Sequence, residues 1–173
     1  RSRRSPLEYR DGTKVQVYFS PQDNTLEAAI LPFIERAERK LAIAMFYLTD
    51  ERVGDALIAA SQRGVNVQLI YDALAAAHPS TLHHRLRAHG IEVRVENWGG
   101  KMHMKTAIAD SSDVLIGSMN WSEAGSNVND ENTLLIRNNR RLARMLTLYY
   151  NKLWRQLEMT TADPTRDPVA ESR

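Results

Sequence analysis

The 173-residue sequence contains no cysteine. This excludes disulfide bonds, thiolate zinc sites and cysteine nucleophiles, so any nucleophile must be another kind of side chain. No apolar run approaches the length of about 18 residues that a membrane-spanning helix needs. The sequence also lacks an internal repeat, a G-x-x-x-x-G-K-S/T phosphate loop and a zinc-type or acidic set of metal ligands. These absences predict a chemistry that needs no metal or other cofactor and continues in the presence of a chelator.

What is present is the composition of an ordinary globular protein, with 43% hydrophobic and 25% charged residues. The formal net charge is only +2, so local basic clusters indicate more about anionic partners than the total does. The length suits one domain with a full hydrophobic core. We predict an N-terminal arm over residues 1–13, a single folded domain over 14–159, and a flexible tail over 160–173.

Alternating and helical patterns of apolar residues divide the folded part into elements. Strands are predicted over 15–20, 41–47, 65–72, 91–96, 105–109, 114–118 and 132–137. Helices are predicted from a cap at Asn24, from Asp50 to Gly64, from a cap at Ser80 to Gly90, and over 139–159. The apolar stripe of the last helix is predicted to pack in the core or in a dimer contact, and consists of Leu142, Leu146, Tyr149, Leu153 and Leu157. Because strands and helices alternate early and strands cluster later, we predict an α/β fold with a mixed central β-sheet and helices on both faces.

Two residues of complementary chemistry, His103 and Lys105, lie two positions apart. Along a strand, side chains with this spacing project from the same face. A neutral imidazole can form a covalent bond to phosphorus, and a neighbouring ammonium group neutralises the charge that grows on the phosphate oxygens. The pair therefore predicts attack on a phosphodiester, with His103 as the nucleophile. Met102 and Met104, which flank His103, are predicted to pack on the opposite side.

Three more polar residues are placed to serve the same phosphate. Ser118 and Asn120 lie two positions apart at a neighbouring predicted strand, and their hydroxyl and amide groups can donate hydrogen bonds. Glu131 begins the next strand, where a carboxylate can hold one ring nitrogen of His103 and fix its tautomer. A carboxylate that faced the anionic substrate would repel it, so we expect Glu131 to lie behind the imidazole.

These residues resemble the signature of the phospholipase D superfamily. Its H-x-K-x-x-x-x-D pattern and the following G-S-x-N element are matched by His103, Lys105 and Asp110 and by Gly117, Ser118 and Asn120. The segments Phe19-Ser20-Pro21 and Arg63-Gly64-Val65 also look like family positions. The resemblance covers roughly residues 15–157. It is strongest for small single-motif members, namely bacterial periplasmic endonucleases and the mitochondrial or piRNA-pathway enzymes.

The resemblance implies a mechanism in which histidines from two motifs meet at one site. One histidine forms a phosphohistidine, while the other protonates the leaving alcohol and then activates water. This chain contains a single such motif. The resemblance therefore implies a homodimer in which each copy supplies His103, Lys105, Ser118 and Asn120. It also implies that Asp110, although part of the catalytic signature, supports the motif structurally and does not bind phosphate.

Two residues near the motif are candidates for substrate binding. One is Lys101, in the glycine-rich loop before His103, and the other is Trp121, directly after the G-S-x-N element. We expect both to contact a nucleic-acid backbone or base. Elsewhere, His83 and His84 lie close in sequence to His78 and His89. Because adjacent side chains on a helix point in different directions, we predict a solvated face there and no metal site.

The groups on either side of the phosphodiester are not determined by this chemistry. The first choice is an endonuclease with little sequence preference that favours single-stranded DNA or RNA. The resemblance and the basic residues Lys101, Arg137, Arg140 and Arg141 support it. The runner-up enzyme is a phospholipase acting on phosphatidyl lipids such as cardiolipin. A non-catalytic nucleic-acid-binding domain is the alternative from a different class.

The sequence begins at Arg1 without a methionine. A removed signal peptide, a removed membrane anchor or a cloning boundary each explains this start. Together with the resemblance, it leads us to expect a secreted or membrane-anchored bacterial protein.

Overall fold

The computed structural model describes residues 5–96 and 98–158, so the predicted tail over 160–173 lies outside the described residues. Its strands form one mixed sheet in the order β1-β2-β8-β7-β6-β3-β4-β5. They are β1 (Leu7–Glu8), β2 (Lys14–Ser20), β3 (Lys40–Met45), β4 (Asn66–Tyr71), β5 (Glu92–Val95), β6 (Lys105–Ala109), β7 (Asp113–Gly117) and β8 (Glu131–Arg137). The helices are α1 (Leu31–Arg36), which continues a π-helical turn over Leu26–Ile30, α2 (Glu51–Gln62), α3 (Ala73–Ala76), α4 (His83–Ala88), α5 (Glu123–Asn127) and α6 (Arg140–Glu158). The predicted α/β class with a mixed sheet is confirmed.

Strand direction brings the motif residues to one edge of the sheet. β3, β4 and β5 run parallel, whereas β6, β7, β8 and β2 alternate in direction. The register pairs Met45 with both Tyr71 and Lys105, and pairs Ser20 with Glu131. The carboxyl ends of β2, β3, β4 and β7 therefore meet the amino ends of β6 and β8. We call this end of the sheet the motif edge, and the opposite end the far edge.

The two faces of the sheet are covered unequally. On one face, α1, α2 and α4 pack over side chains such as Leu41, Ile43 and Leu69 in the larger core. On the other face, α6 packs over Ala42, Ala44, Ile70 and Ile108 in a smaller core. One helix is too narrow to cover the whole second face, because a helix with its side chains is only about 10–12 Å wide. No helix within the described ranges is long and apolar enough to span a membrane.

Apolar surface remains exposed on and beside α6. Met145, Leu148 and Tyr149 are 61%, 60% and 51% exposed. Val17 and Leu134, which pair across β2 and β8, are only partly buried. Tyr149 was predicted to belong to the stripe that packs in the core or in a dimer contact. It does not pack in the core, and Tyr150, which is 2% exposed, occupies the core position of that turn.

Two predicted helix caps are wrong. Asn24 has a left-handed backbone with a φ of 54°, and its carbonyl, not its side chain, accepts the hydrogen bond from the N–H of Ala28. Thr25 is the residue that precedes the helix, and it makes no side-chain cap bond. The helix predicted from Ser80 begins at His83. By contrast, the predicted strands are confirmed to within about two residues at each end.

The predicted solvated face at His83 is also wrong. His83 is fully buried, and its Nδ1 lies 3.2 Å from Thr81 Oγ1. Its ring lies 5.9 Å from that of Tyr71 and 3.8 Å from that of His84. The error arises because α4 packs against α2 and β5, so its first turn faces the core. Among the described residues, no group of three or more His, Asp or Glu side chains is arranged to hold a metal ion.

Asp110 joins two strands at the far edge. Its carboxylate accepts hydrogen bonds of 2.8–2.9 Å from the backbone N–H groups of Glu38, Arg39 and Lys40, at the start of β3. Burial by itself raises the pKa of Asp110, but these three bonds and the charge of Arg39 outweigh it and hold the pKa below its ordinary value. Asp110 also lies about 17 Å along β6 from Lys105. These contacts fit the structural role that the resemblance implied.

Replacing Asp110 is therefore expected to reduce stability in a pH-dependent way. Asp110→Asn should lower the free energy of unfolding by about 1–3 kcal/mol at neutral pH, because the neutral amide cannot accept all three bonds. The depressed pKa means that this stabilisation is present above the unfolded pKa and is lost as the pH falls through the folded pKa. Urea denaturation at several pH values should show the difference from wild type shrinking below about pH 4.

Glu38→Gln provides the matched control, because Glu38 is exposed on the same turn and contributes its backbone N–H to Asp110. It removes one negative charge without removing an acceptor from these bonds. An equal loss of stability in both variants, or a difference that does not change with pH, would contradict the role given to Asp110.

Candidate active site

His103 lies at the motif edge, in the loop that precedes β6. It is exposed, and its ring centroid lies 4.5 Å from that of Phe46. It was expected to share a strand with Lys105, but β6 begins only at Lys105. The two residues are nevertheless brought together, because the amino group of Lys105 donates a 2.9 Å hydrogen bond to the carbonyl of His103. The imidazole is accordingly free to meet a substrate, while its backbone is held.

Lys105 is a buried cation beside His103. It is 8% exposed, and its amino group lies 4.9 Å from the centre of the Phe46 ring. Burial lowers the pKa of Lys105, and the charges of Glu131 and Asp72 partly oppose this effect. Charges interact more strongly where water is excluded, so this ammonium group is well placed to neutralise a phosphate oxygen.

Ser118 and Glu131 form a pair that the sequence did not predict. The hydroxyl of Ser118 donates a 2.5 Å hydrogen bond to Glu131 Oε2 and accepts one of 3.0 Å from the N–H of Asn132. The other carboxylate oxygen of Glu131 accepts from Asn129 at 3.2 Å. In the described part of this chain, Glu131 makes no hydrogen bond to the His103 ring, which corrects that prediction. The reason is that β7 and β8 are adjacent antiparallel strands, so the end of one faces the start of the other.

Asn120 is oriented by the segment that directly follows β3. Its Oδ1 accepts a 3.3 Å hydrogen bond from the N–H of Tyr47. Its amide nitrogen, for which no partner is found among the described residues, remains available as a donor. Gly125 in α5 lies against the Asn120 backbone so closely that an added Cβ would collide with the Asn120 carbonyl. Both the segment after β3 and α5 thus determine where this amide points.

The two predicted substrate contacts have different outcomes. Lys101 is exposed, and its amino group lies 5.9 Å from the centre of the Phe46 ring, close to His103. Trp121 is only 3% exposed and belongs to the larger core. Its backbone also bonds to Tyr47, Thr49 and Asp50. The prediction for Trp121 is therefore wrong, because its ring cannot reach a substrate without opening the core. Met102 and Met104 pack in the smaller core behind His103, as predicted.

Two buried carboxyl groups that sequence reasoning missed hold the loop of His103. Asp72 accepts from the N–H of Met102 at 2.9 Å, and its other oxygen caps α3. Glu96 accepts from the N–H groups of Ala73 and Trp98 at 3.2 and 3.1 Å. Burial raises the pKa of Glu96, and the neighbouring Asp72 raises it further. An acidic residue at the end of each of two predicted strands was the signal available in the sequence.

Comparison with known proteins now identifies the family. The family model described as cardiolipin synthase, PLD-like domain, matches residues 30–154. The chain belongs to the phospholipase D superfamily. It is 29% identical over 143 residues to the mitochondrial cardiolipin hydrolase of Xenopus tropicalis, covering 83% of this chain and 68% of that protein. It is 30% identical over 124 residues to a phospholipase D of Rickettsia felis, covering 72% of this chain and 62% of that protein.

A solved structure of the same superfamily has the same fold. The crystal structure of Nuc, a phospholipase D family member from Salmonella typhimurium, superposes with a TM-score of 0.79 at 27% identity. The match covers 83% of this chain and 95% of Nuc. Membership of the phospholipase D superfamily makes the chain a phosphodiesterase.

We predict that His103 is the nucleophile, so the loop that carries it must be held accurately. Asp72→Asn is expected to lower kcat about 10- to 100-fold with a smaller change in KM, because a small displacement of the attacking nitrogen lowers the rate steeply. Steady-state kinetics and thermal unfolding of the same preparations would measure this. Asp130→Asn, an exposed acidic residue at the same edge, is the control. A kcat equal to that of the control would contradict the positioning role.

Proposed function

We propose that this phosphodiesterase is an endonuclease that cuts single-stranded DNA or RNA with little sequence preference. The observation that carries the proposal is the group of side chains around the buried Phe46 ring, whose centre lies 4.5 Å from the His103 ring centroid and 5.9 and 4.9 Å from the amino groups of Lys101 and Lys105. Two cations beside one nucleophile suit a substrate with a phosphate on each side of the scissile one. The resemblance of the motif to small single-motif endonucleases supports the same substrate class.

The proposed reaction has two displacements at phosphorus. A ring nitrogen of His103 attacks the phosphodiester, the bond to the leaving oxygen breaks, and that oxygen takes a proton from His103 of a second copy. Lys105 and the amide of Asn120 stabilise the charge on the remaining oxygens. The second histidine then takes a proton from water, the hydroxide attacks phosphorus, and the phosphorus–nitrogen bond breaks. Both histidines return to their starting forms, and no metal takes part.

We further propose that the second histidine comes from a homodimer. One chain supplies one signature histidine, so a two-histidine mechanism is incomplete without a partner. Apolar side chains remain exposed on α6, and Val17 of β2 and Leu134 of β8 are only partly buried. A second copy that covered this face would bury Met145, Leu148 and Tyr149.

A second candidate is hydrolysis of a phosphatidyl lipid such as cardiolipin. The relative named mitochondrial cardiolipin hydrolase favours it. The outer face of α6 favours it as well, because exposed Met145 and Leu148 lie among Arg141, Arg144 and Lys152. An apolar surface with basic residues around it suits an anionic lipid interface. The chemistry at His103 would be the same for either substrate.

Cleavage assays would separate these two functions. The protein would be incubated in EDTA with labelled single-stranded DNA, single-stranded RNA, duplex DNA and cardiolipin vesicles. The proposal expects fastest cleavage of the single strands. Hydrolysis of cardiolipin without cleavage of nucleic acid would replace it with the lipid function. Dependence of all activity on an added divalent cation would contradict the metal-independent mechanism.

A further inference from the structure

A cluster of aromatic rings at the motif edge extends away from His103 and includes the buried ring of Phe46. The Phe46 and Tyr47 ring centroids lie 4.5 Å apart, and the rings of Tyr47 and His78 lie 5.9 Å apart. Tyr47 is partly exposed, and His78 is exposed. Because Phe46 also contacts His103 at 4.5 Å, two ring-to-ring steps separate Tyr47 from the attacking group. A base attached next to a phosphate at His103 lies within reach of Tyr47.

The position of Tyr47 is tied to the site by its backbone. Its N–H donates to Asn120 Oδ1 at 3.3 Å, and its carbonyl accepts from the N–H of Trp121 at 3.0 Å. Within residues 5–96 and 98–158 its hydroxyl has no hydrogen-bond partner, although its ring is packed between two others. His78 is held as well, since its Nδ1 accepts from the N–H of Ser80 at 3.2 Å. Both rings are therefore pre-arranged and need little ordering on binding.

Charge favours this side of His103 for an anionic strand. On the other side, the depression next to Ser20 is lined by Asp130 and Glu131. Their carboxylates repel phosphates. On the Phe46 side lie Lys101 and Lys105, at 5.9 and 4.9 Å from the ring centre. A nucleic-acid strand that leaves the nucleophile is consequently drawn along Phe46 towards Tyr47 and His78.

We propose that Tyr47 and His78 form a base-binding subsite for the nucleotide beside the scissile phosphate. The subsite takes any base by stacking on its face, which gives affinity without sequence preference. The hydroxyl of Tyr47 adds a hydrogen bond to the base or sugar. This inference rests on the proposed nuclease function and specifies where its substrate lies. It also assigns to Tyr47 and His78 the aromatic contact that the buried Trp121 cannot make.

The test compares substrates that differ only in one base. A single-stranded oligonucleotide is paired with the same strand carrying an abasic sugar at the nucleotide beside the cleaved phosphate. For the normal strand, Tyr47→Leu is expected to raise KM about 5- to 100-fold, because the variant loses the stacking interaction with one base. His78→Ala should raise KM less, and the abasic strand should show little change with either variant. Tyr9→Leu makes the same substitution at an exposed tyrosine near the far edge and is the control.

Binding can be measured separately from turnover. With His103→Ala as the background, the Kd for the normal strand should rise by a similar factor on adding Tyr47→Leu. A thermal midpoint equal to that of the Tyr9→Leu control would show that the fold is retained. Tyr47→Phe keeps the aromatic ring, so it should lose less affinity for the normal strand than Tyr47→Leu does.

The outcomes distinguish the subsite from the function on which it rests. Cleavage of oligonucleotides by the wild type establishes the nuclease, whatever Tyr47 does. If Tyr47→Leu then raises KM equally for both strands, or for neither, the subsite is overturned while the nuclease function stands. If the wild type hydrolyses only cardiolipin, the nuclease and the subsite both fall. A rise in KM with Tyr47→Leu that is confined to the normal strand supports the subsite.

Discussion

His103→Ala is expected to lower turnover by on the order of 10⁴-fold or more and to leave substrate binding within a few-fold of wild type. In the proposed mechanism the imidazole forms the bond to phosphorus, and alanine has no group that could replace it. The remaining cations and the Asn120 amide still bind the phosphate. Single-turnover cleavage and equilibrium binding to the same labelled strand would measure both quantities.

The control for this prediction is His89→Ala. His89 is exposed after the end of α4, where its Nδ1 lies 2.9 Å from the carbonyl of Arg85. The His89→Ala substitution removes an imidazole that lies away from the motif edge, so it should leave turnover unchanged. Retention of most of the activity by His103→Ala would refute the covalent mechanism, even if the substrate assignment were right.

Mixing active and inactive chains is expected to suppress the activity of the active ones. If each site needs His103 from two copies, a wild-type chain paired with a His103→Ala chain is inactive. After subunit exchange with about a nine-fold excess of His103→Ala protein, activity per wild-type chain should fall to about one tenth. Independent single-chain sites would instead retain full activity per wild-type chain. The measurement is the cleavage rate after exchange, with dimer composition verified through differently tagged chains.

Mixing with the same excess of His89→Ala protein controls for dilution and crowding. It should leave the rate per chain near that of the unmixed wild type, since every paired site keeps both copies of His103. A matching decline in the two mixtures would show that suppression has another cause. A second test uses the proposed interface, because Leu148→Glu places a charge on the exposed apolar face of α6 and should shift the protein towards the monomer.

Much of the fold was predictable because the strands are short runs with strong apolar patterns. The segment from Leu41 to Met45 is buried on both faces and reads as an unbroken apolar run. The caps were less predictable. Asn24 and Ser80 have side chains that can cap a helix, but the backbone of Asn24 is left-handed and the helix after Ser80 begins only at His83. Tyr149 and Tyr150 are adjacent in sequence, and only the rotation of α6 against the sheet distinguishes the exposed ring from the buried one.

The site was predictable in its chemistry and less so in its geometry. Lys101, His103, Lys105 and Asn120 are brought together at one edge of the sheet. Ser118 and Glu131 are also there, but they bond to each other, because β7 and β8 are neighbours in the sheet. Trp121 follows Asn120 directly, yet its side chain enters the core. Sequence spacing does not specify whether the side chain of a loop residue points to solvent or to the core.

The sequence by itself determined the class of bond attacked, and it predicted His103 as the nucleophile and Lys105 as the cation beside it, since these depend on residue type and on spacing over a few positions. Tertiary structure decided the contacts between distant segments. It placed Asp72 and Glu96 behind the His103 loop, bonded Asp110 to the start of β3, and set Tyr47 between Asn120 and His78. The physical reason is that hydrogen bonds and ring contacts act over a few ångströms, and only strand register and helix packing bring such segments within that distance.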